Sequence, residues 1–159
     1  MKSHFLFPRS FKLVGWLLFV PSFAVAIAVV CADIDIDNML TTKVFAIADN
    51  GLFADAGFFR FNQNSIGDEV LLSFLIVGGL FIGFSKQKNE DEFIAKIRYE
   101  SLVWATYFNF GVMLLATWFI YGFFYFEVLI ANVFSLLLFF VVRFHIKLYQ
   151  LKKSLRDDE

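Results

Sequence analysis

Four long apolar runs alternate with polar segments along the chain, and each run predicts a membrane-spanning helix. A span needs about 20 mostly apolar residues, because each helical residue advances ~1.5 Å through a hydrocarbon core about 30 Å thick. The runs at 11–32 and 101–121 reach this length, and two shorter runs reach it with their flanking residues. The pattern therefore predicts one membrane domain of the all-α class, a polytopic, antiparallel bundle of four transmembrane helices. The predicted spans are about 11–32, 68–85, 100–121 and 125–144.

The first run has an alternative interpretation as a cleaved signal peptide. Its apolar stretch is longer than the roughly 7–15 residues of a signal-peptide core. Residues 30–32 form a poor cleavage site, and the bulky Val30 before Cys31 argues against a lipoprotein signal. We therefore interpret the first run as a retained span.

The longest polar segment, residues 33–67, is predicted to be an outer loop with a short helix of its own. Apolar residues recur there at helical spacing and predict a helix over about 38–50. The helix would be capped by Asp37 or Asn38 and would stop at the Asn-Gly pair 50–51. The residues of the apolar stripe are Leu40, Val44, Ile47 and Ala48.

Three alternating aspartates, Asp33, Asp35 and Asp37, are similar to the opening of a calcium-binding loop. An EF-hand also needs Gly at its sixth position and Glu at its twelfth. This chain has Asn38 and Val44 at those positions. We interpret the segment as an acidic linker, with metal binding as the alternative.

The charged segment 86–100 is predicted to be the start of the third helix. Asn89 is a suitable N-cap, and Glu90, Asp91 and Glu92 would fill the first turn, where carboxylates interact favourably with the helix dipole. The helical pattern then continues to residue 121. The third helix is therefore predicted to extend from the membrane into the cytoplasm.

Positive charge is concentrated in three of the segments outside the spans. Twelve of the 14 Lys and Arg residues lie before span one, between spans two and three, or after span four. The positive-inside rule assigns those segments to the cytoplasm. Both termini are therefore predicted on the cytoplasmic side of the membrane, with a cytoplasmic helical segment at 86–100 and a cytoplasmic tail at 145–159.

Composition supports a lipid environment and lacks the signatures of catalysis. Hydrophobic residues make up 59% of the 159 residues, and Phe alone occurs 24 times. A soluble core of this size cannot hide so much apolar surface, which makes the lipid bilayer the first expected partner. The chain contains no HExxH, GxSxG or phosphate-binding glycine loop, and Cys31 is its one cysteine. We predict no enzyme, no catalytic residue, no cofactor, no metal and no direct binding of nucleic acid.

Small and polar residues inside the spans predict helix packing. Gly79 and Gly83 form a small-xxx-small pair, which permits close approach of a neighbouring span or of a second copy in a homo-oligomer. Asn109 and Asn132 lie in adjacent spans, and we expect them to take part in interhelical hydrogen bonds. A substrate site at these asparagines is the alternative.

Charged residues of the two cytoplasmic segments are the candidate docking residues for a cytosolic protein. The alternative is that they form an ordinary solvated helix face. The candidates are Glu90, Asp91, Glu92, Lys96, Arg98, Glu100, Lys152, Lys153 and Arg156.

The order of residues from the outer loop through span three resembles one family. A span ending in Phe-Ser-Lys, then Glu-Asp-Glu, then Ile-Arg-x-Glu-Ser before an aromatic span, is similar to a group of small four-span membrane proteins of Bacteroidota. The resemblance covers about 60 residues. These proteins are often encoded beside a helix-turn-helix transcription regulator, and the group carries no assigned activity. The resemblance implies a location in a bacterial inner membrane, and it implies that the membrane protein and a cytosolic DNA-binding protein act together.

Two functions follow as hypotheses. The first is a non-enzymatic membrane regulator or scaffold that signals to a cytosolic partner such as a transcription regulator. The alternative is a small transporter, channel or lipid-binding protein that works as an oligomer. The absence of ionisable residues at the centres of the four spans argues against ion coupling, and leaves a passive apolar ligand open.

Overall fold

The computed structural model of the chain describes residues 5–32, 40–49, 57–88 and 90–157. The chain consists of two compact units, and the boundaries between them fall within the first two helices. The helical unit comprises Met1–Phe19 and Ile76–Glu159, and the hairpin unit comprises Val20–Leu75. The elements are α1 (Ser10–Ala32), β1 (Thr41–Asp49), β2 (Gly57–Ser65), α2 (Gly67–Phe84), α3 (Glu92–Phe119) and α4 (Phe123–Asp157).

The structure is mostly helical, and the four predicted apolar helices are confirmed. Each is long and apolar enough to cross a membrane. The helix of span four continues without interruption through the predicted tail as far as Asp157. The candidate spans are Ser10–Val29, Gly67–Phe84, Glu92–Phe119 and Phe123–Ser154.

Within the helical unit, α4 provides the surface against which the other helices pack. Phe140 and Phe144 of α4 are fully buried, as is Ile82 of α2. The rings of Phe108 in α3 and Phe139 in α4 stack with their centroids 4.6 Å apart. Aromatic side chains therefore make up much of the core of this unit.

The backbones of α1 and α2 approach closely at a pair of glycines. A Cβ on Gly15 would lie 2.9 Å from the carbonyl oxygen of Gly78, and a Cβ on Gly78 would lie 2.8 Å from the backbone nitrogen of Phe19. Real Cβ atoms do not tolerate such distances to backbone atoms. Glycine at both positions therefore permits this helix contact.

The hairpin unit contains an antiparallel β-hairpin, and the helix predicted over about 38–50 is wrong. Strand β1 pairs with β2 in a register that places Thr41 opposite Ser65, Phe45 opposite Phe61 and Asp49 opposite Gly57. β1 is rich in β-branched and aromatic residues, which favour a strand. The caps predicted at Asp37 or Asn38, the Asn-Gly stop and the three loop aspartates lie outside the described residues.

Helix α3 begins two residues later than the charge pattern indicates. Its N-cap is Asp91, whose carboxylate accepts a hydrogen bond of 2.7 Å from the backbone N–H of Glu92. Asn89, the predicted cap, lies outside the described residues. Glu90 therefore precedes the helix instead of filling its first turn, and its carboxylate binds the guanidinium of Arg98. The helix ends at Phe119, and Gly122 turns the chain into α4 with a φ of 73°.

Candidate functional site

The most ordered polar arrangement in the helical unit centres on Arg98 of α3. Its guanidinium donates through Nη1 to Oε1 of Glu90 at 2.7 Å. Nη2 lies 3.4 Å from Oε2 of the same carboxylate and 3.4 Å from the carbonyl oxygen of Ser85. Arg98 thus links α3 to the residues between α2 and α3, which we call the connection after α2. We call Ser85, Gln87, Glu90, Arg98 and Phe144 the Arg98 cluster.

Arg98 is a buried charge that the protein itself compensates. Only 7% of the residue is exposed. The guanidinium carbon lies 5.0 Å from the ring centroid of Phe144, a cation–π contact with α4. Removing one partner of such a pair leaves an uncompensated charge, which is costly away from water. The cluster therefore fixes the relative position of the connection, α3 and α4.

Glu90 is held in its charged form by the same cluster. Partial burial acts to raise the pKa of its carboxyl, but hydrogen bonds from Arg98 and from the backbone N–H of Gln87 outweigh it. The positive charges of Arg98 and Lys86 act in the same direction. The net result is a pKa below the ordinary value of a glutamate. The Arg98–Glu90 pair is therefore an ion pair at neutral pH.

The segment before α1 reaches the same region through backbone hydrogen bonds. Phe7 forms a parallel β-bridge with Ser85, in which its N–H donates to Phe84 and its carbonyl accepts from Lys86, both at 3.0 Å. Its ring also contacts Phe81 edge-on at a centroid distance of 5.1 Å. This bridge brings the basic start of α1 beside the connection that follows α2.

A cavity of about 480 Å³ lies where these segments meet α4. No acidic side chain lines it among the described residues, and five of its nine residues are cationic. We call it the basic cavity. Its lining residues are Arg9, Lys12, Lys86, Gln87, Lys88, Ile94, Leu148, Leu151 and Lys152.

Two of the residues that line the basic cavity are hydrogen-bonded to each other. The ammonium of Lys12 donates to Oε1 of Gln87 at 2.8 Å. The ammonium of Lys12 is also subject to electrostatic repulsion from three other cations, Lys152, Arg9 and Arg98. The amide nitrogen of Gln87 is buried, and no hydrogen-bond acceptor lies within reach of it in the described part of the chain. The cavity therefore offers positive charge together with an unused hydrogen-bond donor.

The structure separates the nine predicted docking residues into two groups. Glu90 and Arg98 bind each other, and Asp91 caps α3, so these three contribute to the fold. Glu92, Lys96, Glu100, Lys152 and Lys153 are exposed. Lys96 and Glu100 lie 4.0 Å apart along α3 as an i, i+4 pair. Arg156 belongs to α4, and its side chain is outside the described part of the structure.

The predicted asparagines come together between α3 and α4. The amide nitrogen of Asn109 donates to the backbone carbonyl of Asn132 at 2.6 Å and lies 3.0 Å from Oγ of Ser135. The amide of Asn132 lies 3.7 Å from the sulfur of Met113. These contacts place both buried amides within a hydrogen-bonded network inside the protein.

Side chains of α4 occupy the space beside the two glycines predicted to pack. A Cβ on Gly79 would meet the side chain of Leu137, and one on Gly83 would meet the ring of Phe140. The neighbour at this face is thus another helix of the same chain. The backbone contact between helices uses Gly15 and Gly78 instead, which sequence reasoning missed.

Sequence reasoning also missed Lys12, Ser85 and Gln87. Their signal was weak, because each depends on the β-bridge at Phe7 and on how the connection after α2 folds back. No group of three or more His, Cys, Asp or Glu side chains that could hold a metal ion occurs within residues 5–32, 40–49, 57–88 and 90–157.

No protein-family model, no curated protein and no solved structure matches this chain.

Proposed function

We propose that this chain is a non-enzymatic integral membrane protein of the bacterial inner membrane, which docks a cytosolic protein as a regulator or scaffold. The observation that carries the proposal is the exposed charged face of α3, held in place by the Arg98 cluster. Lys96 and Glu100 are exposed on a helix whose start is anchored by a buried ion pair. A positioned charge pattern of this kind favours specificity in binding.

The distribution of Lys and Arg supports the orientation in which this face is cytoplasmic. The basic residues of the segment before α1, of the connection after α2 and of the end of α4 belong to the same side under the positive-inside rule. The basic cavity draws cationic residues from all three of these segments. A protein with this orientation presents α3 and α4 to cytosolic partners, with both termini inside.

We restrict the candidate docking residues to those whose side chains are exposed. Glu90 and Arg98 are used within the protein, so a partner would meet Glu92, Lys96 and Glu100 on α3. Lys153 on α4 adds a further exposed charge. The resemblance to four-span proteins encoded beside helix-turn-helix regulators supports a transcription regulator as the class of partner.

A charge swap tests the proposal without disturbing the fold. The double variant Lys96→Glu with Glu100→Lys keeps the net charge and the i, i+4 pair, and it places the acidic residue first, which is the more favourable order in a helix. Crosslinking and affinity purification from native membranes should capture a cytosolic protein with the wild type and lose it with the swap. The thermal unfolding of the swap variant in detergent should match that of the wild type.

Two results would overturn the docking proposal. If the wild type purifies without a cytosolic protein, the chain has no docking partner. If the swap variant captures the same protein equally well, the charged face of α3 does not bind it. The transporter or channel hypothesis expects flux through reconstituted vesicles, and the docking proposal expects none.

A further inference from the structure

The basic cavity has the composition of a binding site for a phosphate group. Five cationic side chains line it, and the described lining contains no carboxylate. Glu90, the nearby acidic residue, is bound by Arg98 and by the N–H of Gln87. Its negative charge is therefore compensated by Arg98 and by Lys86, and the other four cations of the cavity keep their attraction for an anion.

The buried amide of Gln87 adds a directional element. Its Oε1 accepts a hydrogen bond from the ammonium of Lys12, which orients the amide group. The remaining Nε2 is buried with no acceptor in reach among the described residues. Oγ of Ser85 and Nε of Arg98 are also buried without a partner among the described residues, and an anion oxygen bound at Gln87 would supply an acceptor for its Nε2.

The position of the cavity selects a lipid as the source of the phosphate. Its lining residues come from the start of α1, the connection directly after α2 and the last turns of the apolar part of α4. The ends of membrane spans lie at the level of the lipid headgroups. Ile94, Leu148 and Leu151 complete the lining with apolar surface, as a lipid with acyl chains requires.

We propose that the basic cavity binds the phosphate headgroup of an anionic phospholipid. Basic pockets between spans on the cytoplasmic side are suited to such headgroups, and a volume of about 480 Å³ falls in the range of small-molecule sites. Cations from three separate segments meet on one phosphate, so the bound lipid would join the segment before α1 to α4. This inference uses the cytoplasmic orientation proposed above, and it does not require a protein partner.

The test compares two lysine pairs that differ only in their relation to the cavity. Lys88→Gln with Lys152→Gln removes two charges from the lining, and Lys147→Gln with Lys153→Gln removes two exposed charges elsewhere. Binding of phosphatidylglycerol to the full chain in detergent would be measured by native mass spectrometry. The cavity pair should weaken binding by roughly tenfold to 30-fold, since each lysine near a headgroup contributes about a factor of five.

A second variant addresses the unused donor. Gln87→Glu keeps an acceptor for Lys12 and places a carboxylate where the amide nitrogen stood, so it should also weaken binding of phosphatidylglycerol. Its thermal unfolding without added lipid serves as the check that it is folded.

Equal losses from both lysine pairs would overturn the proposal, because the attraction would then be that of the whole surface. Equal binding of zwitterionic phosphatidylcholine would overturn it as well. Inorganic phosphate that protects the protein from unfolding as strongly as the lipid does would overturn the lipid as the source. The Lys96 and Glu100 swap leaves the cavity intact, so lipid binding and partner capture can fail independently.

Discussion

The helical unit and the hairpin unit are stabilised by different kinds of interaction. In the helical unit a charged residue, Arg98, is 7% exposed and finds its partners within the protein. Large apolar residues are exposed in both units, and in the hairpin they include Phe45 at 54% and Phe61 at 74%. The helical unit therefore depends on tertiary contacts between buried side chains. The hairpin depends mainly on the pairing of its two strands, which alone are marginally stable in water.

The largest expected effect comes from breaking the buried ion pair. Arg98→Ala removes the ion-pair partner of Glu90, whose side chain is only 20% exposed. We expect a loss of about 3 kcal/mol in the free energy of unfolding, near the lower end for a buried pair because Glu90 keeps some contact with water. Unfolding in mixed detergent micelles would measure it.

Lys96→Ala is the matched control for Arg98→Ala. Lys96 lies on the same helix, with a side chain that is 69% exposed, and its contact with Glu100 is a surface pair. Such pairs contribute about 0–1 kcal/mol. Similar losses from the two variants would show that the Arg98 cluster is not what holds the start of α3.

The next effect tests the glycine contact within the helical unit. Gly78→Ala would place a Cβ against the backbone of Phe19, so the helices must separate, at a cost of roughly 1–3 kcal/mol. Gly111→Ala is its control, because a Cβ there meets nothing within 4 Å. In that position alanine should stabilise the helix by about 0.5–1 kcal/mol. Opposite signs for the two substitutions, measured by unfolding, would confirm the packing. Equal signs would contradict it.

A smaller effect follows from the lowered pKa of Glu90. A carboxyl whose pKa is lower in the folded than in the unfolded protein stabilises the fold above the unfolded value, which is about 4.3 for glutamate. This contribution is lost as the pH falls through the folded pKa. The wild type should therefore lose more stability than Glu90→Gln on acidification below about pH 4.3.

Glu100→Gln provides the comparison for the acid titration. It removes an exposed carboxylate from the same helix and leaves the Arg98–Glu90 pair in place. Its acid-induced loss of stability should therefore follow that of the wild type. Parallel curves for the wild type and Glu90→Gln would show that Glu90 does not carry the pH dependence.

Hydrophobic pattern was enough to predict the four apolar helices, because their runs are long and local. It was not enough for the segment at 41–49. Leu40, Val44 and Ile47 match a helical spacing, yet Thr41, Val44, Phe45 and Ile47 are also strand-forming residues. The deciding factor is pairing with 57–65, and a partner at that distance along the chain is not visible in local periodicity.

The candidate site was predicted only in part for a related reason. The charges of 86–100 were recognised, but a charge pattern does not show which groups fold back on one another. Glu90 binds Arg98 eight residues away, and Lys12 binds Gln87 across 75 residues. Both contacts require the β-bridge and the turn before α3, and neither feature has a sequence signature.

The smallest expected effect returns to the hairpin. Phe45 and Phe61 face each other across the strands with centroids 5.2 Å apart. Since both rings remain largely exposed, Phe61→Ala should cost only the cross-strand contact, roughly 0.2–1 kcal/mol. A double-mutant cycle with Phe45→Ala, followed by hydrogen exchange of the hairpin amides, would isolate that coupling. A loss of several kcal/mol would mean that these rings are covered by lipid or by a second copy of the chain. The contrast between the two units would then lie in what covers their side chains, and not in how strongly each is packed.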